Sequence, residues 1–153
     1  MSEQPTAGTR RRAEITVLGG QPASLWFASL ASLAMIIGAV APWATQFGFI
    51  SLSGTRMHSW SEVAFAVVGL AMLGLYALRG TRFALIVAAG AGVLGAMQAV
   101  ATFGKLASNG AVTVFGVQYH FLDPAWGLYV VLVGAIGLAG SSTLAWFAAR
   151  ATA

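Results

Sequence analysis

Two apolar runs flank a short basic turn in VAFAVVGLAMLGLYAL-RGTR-FALIVAAGAGVLGAMQAVATF, the stretch from Val63 to Phe103. The second run, Phe83 to Phe103, is about 31 Å long as a helix, which matches the hydrocarbon core of a bilayer. The first run reaches a spanning length when Trp60 to Glu62 form its interfacial first turn. Because only Arg79 to Arg82 separate the runs, they predict an antiparallel pair of membrane helices.

Two further apolar runs lie on either side of this hairpin. Leu25 to Trp43 is uncharged over 19 residues, about 28 Å of helix. Trp126 to Phe147 is preceded by Asp123 and Pro124, an N-cap and N1 pair. The chain therefore predicts an all-α membrane domain, residues 23–150, with a four-helix transmembrane bundle. Its predicted spans are about 25–43, 60–78, 83–103 and 125–148, its predicted outer loops are 44–59 and 104–123, and residues 1–22 are predicted to be a disordered basic cytoplasmic tail.

The composition supports a membrane protein. Hydrophobic residues make up 58% of the 153 residues and charged residues only 8%, against about 25% in soluble domains. Because so few charged side chains cannot cover the surface of a soluble domain, we expect the lipid bilayer to contact most of the protein surface. The net charge of +4 is scattered among apolar runs and forms no basic patch, which argues against nucleic-acid binding. The absence of cysteine excludes disulfides and thiolate chemistry.

Basic residues predict the orientation. Only Arg56 and Lys105 lie on one side of the predicted spans, and six arginines lie on the other. The positive-inside rule then predicts a multi-pass protein of the plasma membrane with both termini in the cytoplasm. The orienting residues are Arg10, Arg11, Arg12, Arg79, Arg82 and Arg150.

A cleaved signal peptide is the alternative interpretation of the first span, because the arginine triplet precedes an apolar run. That run exceeds the 7 to 15 residues of a typical signal core and ends at Pro42 and the bulky Trp43. We therefore expect a retained membrane span.

Both long outer loops carry strand-like patterns. In the first loop, 47–52 and 55–57 flank the turn pair Ser53 and Gly54. In the second, 112–114 and 117–121 alternate apolar and polar residues with a period of two. Each loop predicts a hairpin, and together they predict a small extracytoplasmic β-hairpin cap of four strands.

The same loops carry a candidate metal site. Two histidines and two carboxylates are spaced three or four residues apart near the outer surface, and such a set suits zinc or another divalent ion. The alternative is that the carboxylates cap helices and pair with Arg56 or Lys105. The predicted ligands are His58, Glu62, His120 and Asp123.

Small residues mark the predicted helix contacts. They recur every four residues in the third span and every seven in the fourth. The expected contact points are Gly92 and Gly95 in the third span and Gly127 and Gly134 in the fourth. Gln98 is the only strongly polar side chain well inside a span, and we expect it to hydrogen-bond across the bundle. No ionisable residue lies in the middle of a span, which argues against an ion-coupled carrier.

No catalytic constellation or cofactor motif occurs. Ser141, Ser142 and Ser53 lack the sequence context of a nucleophile, so we expect neither enzyme activity nor a cofactor.

Three short motifs carry a resemblance. Pro42-Trp43, then Ser53-Gly54-Thr55, and Trp126 to Tyr129 at the start of the last span resemble small four-pass membrane proteins of actinobacteria and their prophages. The group is mostly without assigned activity, so the resemblance implies architecture alone.

The function expected from the sequence is therefore non-enzymatic. We expect a protein that acts through protein contacts, as an accessory subunit of a larger complex, as a homo-oligomer, or as a sensor that displays its loops. One alternative is a prophage or host component of phage exclusion, by analogy with the resembling group. Another is a small carrier or a metal-binding membrane protein.

Overall fold

Four long helices dominate the computed structural model, which describes residues 23–46, 50–54, 60–109, 111–114, 117–120 and 122–151. The predicted tail, residues 1–22, lies outside the described residues. All four helices are long and apolar enough to cross a membrane, which confirms the predicted number and character of the helices. The helices are α1 (Ala23–Val40), α2 (Trp60–Arg79), α3 (Arg82–Asn109) and α4 (Trp126–Ala151).

Two helix ends differ from the predicted spans. α1 ends at Val40 instead of Trp43, because Pro42 disfavours helical backbone at the residue before it and has no N–H to continue the ladder. α3 continues past Phe103 to Asn109, so the first six residues of the predicted second loop are helical. Hydropathy locates the edge of the membrane, whereas a helix ends where its backbone hydrogen bonds end.

The hairpin between α2 and α3 is as tight as expected. The Gly80 N–H donates to the Tyr76 carbonyl oxygen at 2.8 Å, and Gly80 has a φ of 65°. This left-handed residue is the usual way to end a helix, and glycine adopts it without steric cost.

The helices pack as a ring, in which α1 and α3 each contact both α2 and α4. Buried positions follow alternating steps of three and four residues, the spacing of left-handed bundles. On α4 they are Leu128, Val131, Ala135, Leu138, Ser142 and Ala145, and on α1 they are Leu25, Ala28, Ser32, Met35 and Ala39. On α2 they are Glu62, Ala66, Gly69 and Leu73.

The opposite faces of the helices are apolar and exposed. Phe27, Val67, Met97 and Val133 each expose half or more of their side chains. A soluble domain would not leave such faces in water, whereas lipid covers them without penalty.

One end of the bundle carries β-strands, and we call it the sheet end. β1 (Pro42–Gln46) pairs antiparallel with both β2 (Ile50–Ser53) and β5 (Leu122–Pro124). A separate hairpin consists of β3 (Ala111–Val114) and β4 (Val117–His120).

The described strands are arranged differently from the predicted cap. β2 pairs with β1, with Gln46 opposite Ile50, whereas the predicted turn at Ser53 and Gly54 stays a prediction because its second strand, 55–57, lies outside the described residues. β2 and the β3–β4 hairpin belong to separate sheets. A further strand that was not predicted, β5, joins the two connecting segments by pairing with β1. β5 has only three residues and directly precedes α4, so its alternation of apolar and polar residues is too short to be recognised as a strand.

Candidate functional site

Trp43 connects the sheet to the bundle. The Gly38 carbonyl oxygen would normally accept a hydrogen bond from the N–H four residues later, but that residue is Pro42. The Trp43 indole Nε1–H donates to this oxygen at 2.8 Å instead. A β-bulge between Pro42 and Ala44 interrupts the register at Trp43, and such a bulge re-aims a side chain. The indole is therefore buried in protein and not exposed at the lipid interface.

Two glycines make room for this junction. A Cβ at Gly54 would lie 2.5 Å from Trp43 Nε1, and a Cβ at Gly127 would lie 2.5 Å from the Pro42 carbonyl oxygen. The Ala125 N–H also donates to the Trp43 carbonyl oxygen at 2.8 Å. The three short motifs that carry the resemblance thus meet at one place, where they fix the sheet to the helix ends.

The glycines predicted for helix packing lie at close helix approaches. A Cβ at Gly92 would lie 2.6 Å from the Ala139 amide nitrogen. A Cβ at Gly134 would lie 2.8 Å from the Ala31 carbonyl oxygen. Backbone atoms form both contacts, so neither can be relieved by a side-chain rotation.

Gln98 makes the hydrogen bond across the bundle that the sequence led us to expect. Its Nε2 donates to the Ser61 hydroxyl of α2 at 2.5 Å. Such contacts between membrane helices contribute about 0.6 kcal/mol on average. The bond joins the second and third helices near the sheet end.

Glu62 is the feature that sequence reasoning placed wrongly. It was expected at the outer surface, as a metal ligand or as a helix cap. Its side chain is instead fully buried, and neither carboxyl oxygen has a hydrogen-bond partner among the described residues. A Cβ at Gly95 would lie 3.1 Å from Glu62 Oε2, 2.7 Å from Met35 Cε and 3.5 Å from Ala135 Cβ. The carboxyl group therefore lies among α1, α3 and α4.

Two apolar clusters of the bundle meet near Glu62. The cluster nearer the sheet contains Trp43 and Leu106, and the other contains Leu73 and Leu85. The boundary falls within about one turn on every helix, between Met35 and Ala39, Val63 and Ala66, Ala96 and Ala99, and Val131 and Ala135. Glu62 and the Gln98–Ser61 pair lie at this boundary. Glu62 lies in the first turn of α2 and not in the middle of a span, but its side chain is buried inside the bundle.

The predicted metal site loses one ligand by this placement. Glu62 is buried between helices, whereas Asp123 is exposed on β5. His58 and the side chain of His120 lie outside the described residues. In the part of the chain that the structure describes, no group of three or more potential ligands could hold a metal ion. A site made of His58, His120 and Asp123 stays a prediction.

Arginines collect at the end of the bundle opposite the sheet, which we call the basic end. Arg79 and Arg82 flank the α2–α3 turn, and Arg150 lies in the last turn of α4. The Arg150 guanidinium carbon lies 3.8 Å from the centre of the Trp146 ring, a cation–π contact. Lys105 lies on α3 near the sheet end, and Arg10 to Arg12 and Arg56 lie outside the described residues.

No known protein family, no curated protein and no solved structure matches this chain. Its function is therefore argued from its own geometry.

Proposed function

We propose that this chain is a non-enzymatic, four-span protein of the cell membrane that acts through protein contacts at its sheet end. The observation that supports this proposal is the junction at Trp43. It ties the segments that follow α1 and α3 into one sheet and seats that sheet on the helix ends. A surface of fixed geometry is better suited to recognition than two independent loops, because less conformational entropy is lost on binding.

The sheet presents its edge strand β2. Ile50 exposes 43% of its side chain there, and the outer side of β2 pairs with no other described strand. Exposed edges accept a further strand from a partner. This favours an accessory subunit or a sensor over a protein that functions only within the bilayer.

The proposed orientation has both termini in the cytoplasm and the sheet end as an extracytoplasmic cap. It is supported by the distribution of basic residues. Among the described residues, three arginines, Arg79, Arg82 and Arg150, lie at the basic end, whereas one lysine, Lys105, lies near the sheet end. Reporter fusions at Gly80 and at Gly110 are expected to report cytoplasmic and extracytoplasmic positions, respectively. The same location for both fusions, or the reversed pattern, would refute this topology.

Co-purification tests the contact function. Extracted from native membranes in mild detergent, the protein is expected to run as a stoichiometric complex. Ile50→Arg is expected to dissociate that complex, because it places a charge on the exposed edge strand. Ser108→Arg is the matched control: it adds the same charge at the exposed end of α3, outside the sheet, and should leave the complex intact. A clean monomer from native membranes, or equal effects of both variants, would contradict the proposal.

Among the described residues, no feature favours phage exclusion over the contact function, so that alternative remains a prediction from the resemblance. The carrier alternative is favoured by one specific observation, the burial of the Glu62 carboxyl group inside the bundle.

A further inference from the structure

In the part of the chain that the structure describes, three buried polar side chains of the bundle lack hydrogen-bond partners. They are Glu62, with both carboxyl oxygens, and the hydroxyls of Ser32 and Ser142. Each is fully buried. A buried polar group without a partner destabilises the fold, so its presence in a native structure calls for an explanation.

Other hydroxyl groups on the same two helices do have hydrogen-bond partners. Ser29 donates to the Leu25 carbonyl oxygen, Ser141 to that of Gly137 and Thr143 to that of Ala139, each four residues back. This local bond is the ordinary solution for a hydroxyl in a helix. Ser32 and Ser142 do not use it. Their oxygens are available to a group in the bundle interior.

The three groups lie at different depths of the bundle. A Cβ at Gly95 would lie 3.1 Å from Glu62 Oε2 and 3.5 Å from Ala135 Cβ, and a Cβ at Gly69 would lie 3.3 Å from the Ser32 hydroxyl and 2.7 Å from Leu138 Cδ2. Ala135, Leu138 and Ser142 belong to the same buried seam of α4, about 4.5 Å and about 6 Å apart along the helix axis. Polar groups therefore occur at three successive depths, from the sheet end towards the basic end.

No countercharge accompanies Glu62 in the described part of the bundle. α1 contains no titratable residue. The titratable and charged groups of the other three helices are exposed or near helix ends: Arg79, Arg82, Lys105, Tyr129 and Arg150 are exposed, and Tyr76 is half-buried three residues from the end of α2. Among the described residues, therefore, no charged group forms an ion pair with the Glu62 carboxylate.

A metal ion is a poor fit to this position. The groups that share the space beside Gly95 with the Glu62 carboxylate are the Met35 and Ala135 methyl groups, and neither supplies an oxygen ligand. Hard cations require about six oxygen ligands. A proton requires only the carboxyl group and a neighbour that can pass it on, such as a hydroxyl or a water molecule.

We propose that Glu62, Ser32 and Ser142 form a path for protons through the bundle, entered from the sheet end at Glu62. The carboxyl group accepts and releases the proton, and the two hydroxyls, each both donor and acceptor, relay it towards the basic end, with water between them. No covalent bond other than O–H is made or broken. This activity is separate from the proposed contact function, which does not use these side chains.

Proton flux into vesicles tests the path. The purified protein is reconstituted into liposomes that contain a pH-sensitive dye, and a potassium diffusion potential drives protons inward. The wild type is expected to acidify the lumen several-fold faster than protein-free liposomes do. Glu62→Gln should reduce the rate to that of protein-free liposomes, and Ser142→Ala should reduce it clearly.

Ser141→Ala is the matched control, because it removes a neighbouring hydroxyl that already bonds within its own helix. It should leave the flux unchanged. Wild-type flux equal to that of protein-free liposomes, undiminished flux in Glu62→Gln, or equal effects at Ser141 and Ser142 would each overturn the proposal.

A second measurement covers the case in which Glu62→Gln does not fold. A membrane-soluble carbodiimide modifies protonated carboxyl groups in apolar surroundings, and peptide mass spectrometry locates the product. Modification of Glu62 in the wild type together with loss of flux supports the path. An unmodified Glu62, or full flux after modification, contradicts it.

Discussion

Replacing Trp43 by alanine is expected to lower the free energy of unfolding by about 3–5 kcal/mol, the usual cost of truncating a buried tryptophan. The indole is only 2% exposed, and its N–H satisfies the Gly38 carbonyl oxygen that Pro42 leaves without a donor. Unfolding in mixed micelles with increasing SDS, followed by circular dichroism, measures this loss. The sheet should also loosen, so hydrogen exchange of the Thr45 and Gln46 amides should accelerate more than that of the α3–α4 core.

Two variants show whether the junction is the cause. Trp43→Phe keeps most of the apolar contact and removes the N–H, so it should cost about 1–3 kcal/mol for the unsatisfied carbonyl. Trp126→Ala truncates a tryptophan that is 56% exposed and should cost much less. Similar losses for Trp43→Ala and Trp126→Ala would show that the junction does not hold the sheet.

Replacing Gly92 by alanine is expected to cost about 1–3 kcal/mol, because the added methyl group overpacks the α3–α4 interface. The methyl would lie 2.6 Å from the Ala139 amide nitrogen and 2.7 Å from the Ala135 carbonyl oxygen. Both are backbone atoms, so the two helices must move apart. The same SDS titration measures the change in unfolding free energy.

Gly90 provides the control on the same helix. It is exposed, and a Cβ there meets nothing within 4 Å. Gly90→Ala should therefore be neutral or stabilising by up to about 1 kcal/mol, because alanine has the higher helix propensity. Equal stabilisation by Gly90→Ala and Gly92→Ala would mean that propensity, and not close packing, governs both positions.

The helical part of the fold was predictable because it depends on local properties. Length and hydropathy identified all four spans, and the short turn between Leu78 and Phe83 required α2 and α3 to be neighbours. The small residues of α3 and α4 pointed to close approach, since lipid offers no hydrophobic drive and membrane helices gain by packing closely. The sheet was less predictable, because β5 forms only by pairing with a strand about 80 residues earlier.

Glu62 shows where a pattern of residues was insufficient. By position it belongs to the first turn of α2, which suggests an interfacial residue or a cap. The Glu62 carboxyl group reaches the bundle interior because its side chain is long and because Gly95, on α3, has no side chain to fill that space. The serines were equally ambiguous, because a serine in a membrane helix usually bonds to its own backbone. Nothing in the sequence distinguishes Ser142 from Ser141, although the first faces the interior without a partner and the second does not.

The sequence by itself determined four apolar helices and the hairpin turn at Gly80, because hydropathy, helix length and glycine backbone freedom act within a few residues. Tertiary structure alone decided that Pro42-Trp43, Gly54 and Gly127 meet at one junction and that Glu62, Ser32 and Ser142 are buried inside the bundle. These features arise from contacts between distant parts of the chain. Each depends on which helix faces which neighbour, and therefore on packing that no single segment specifies.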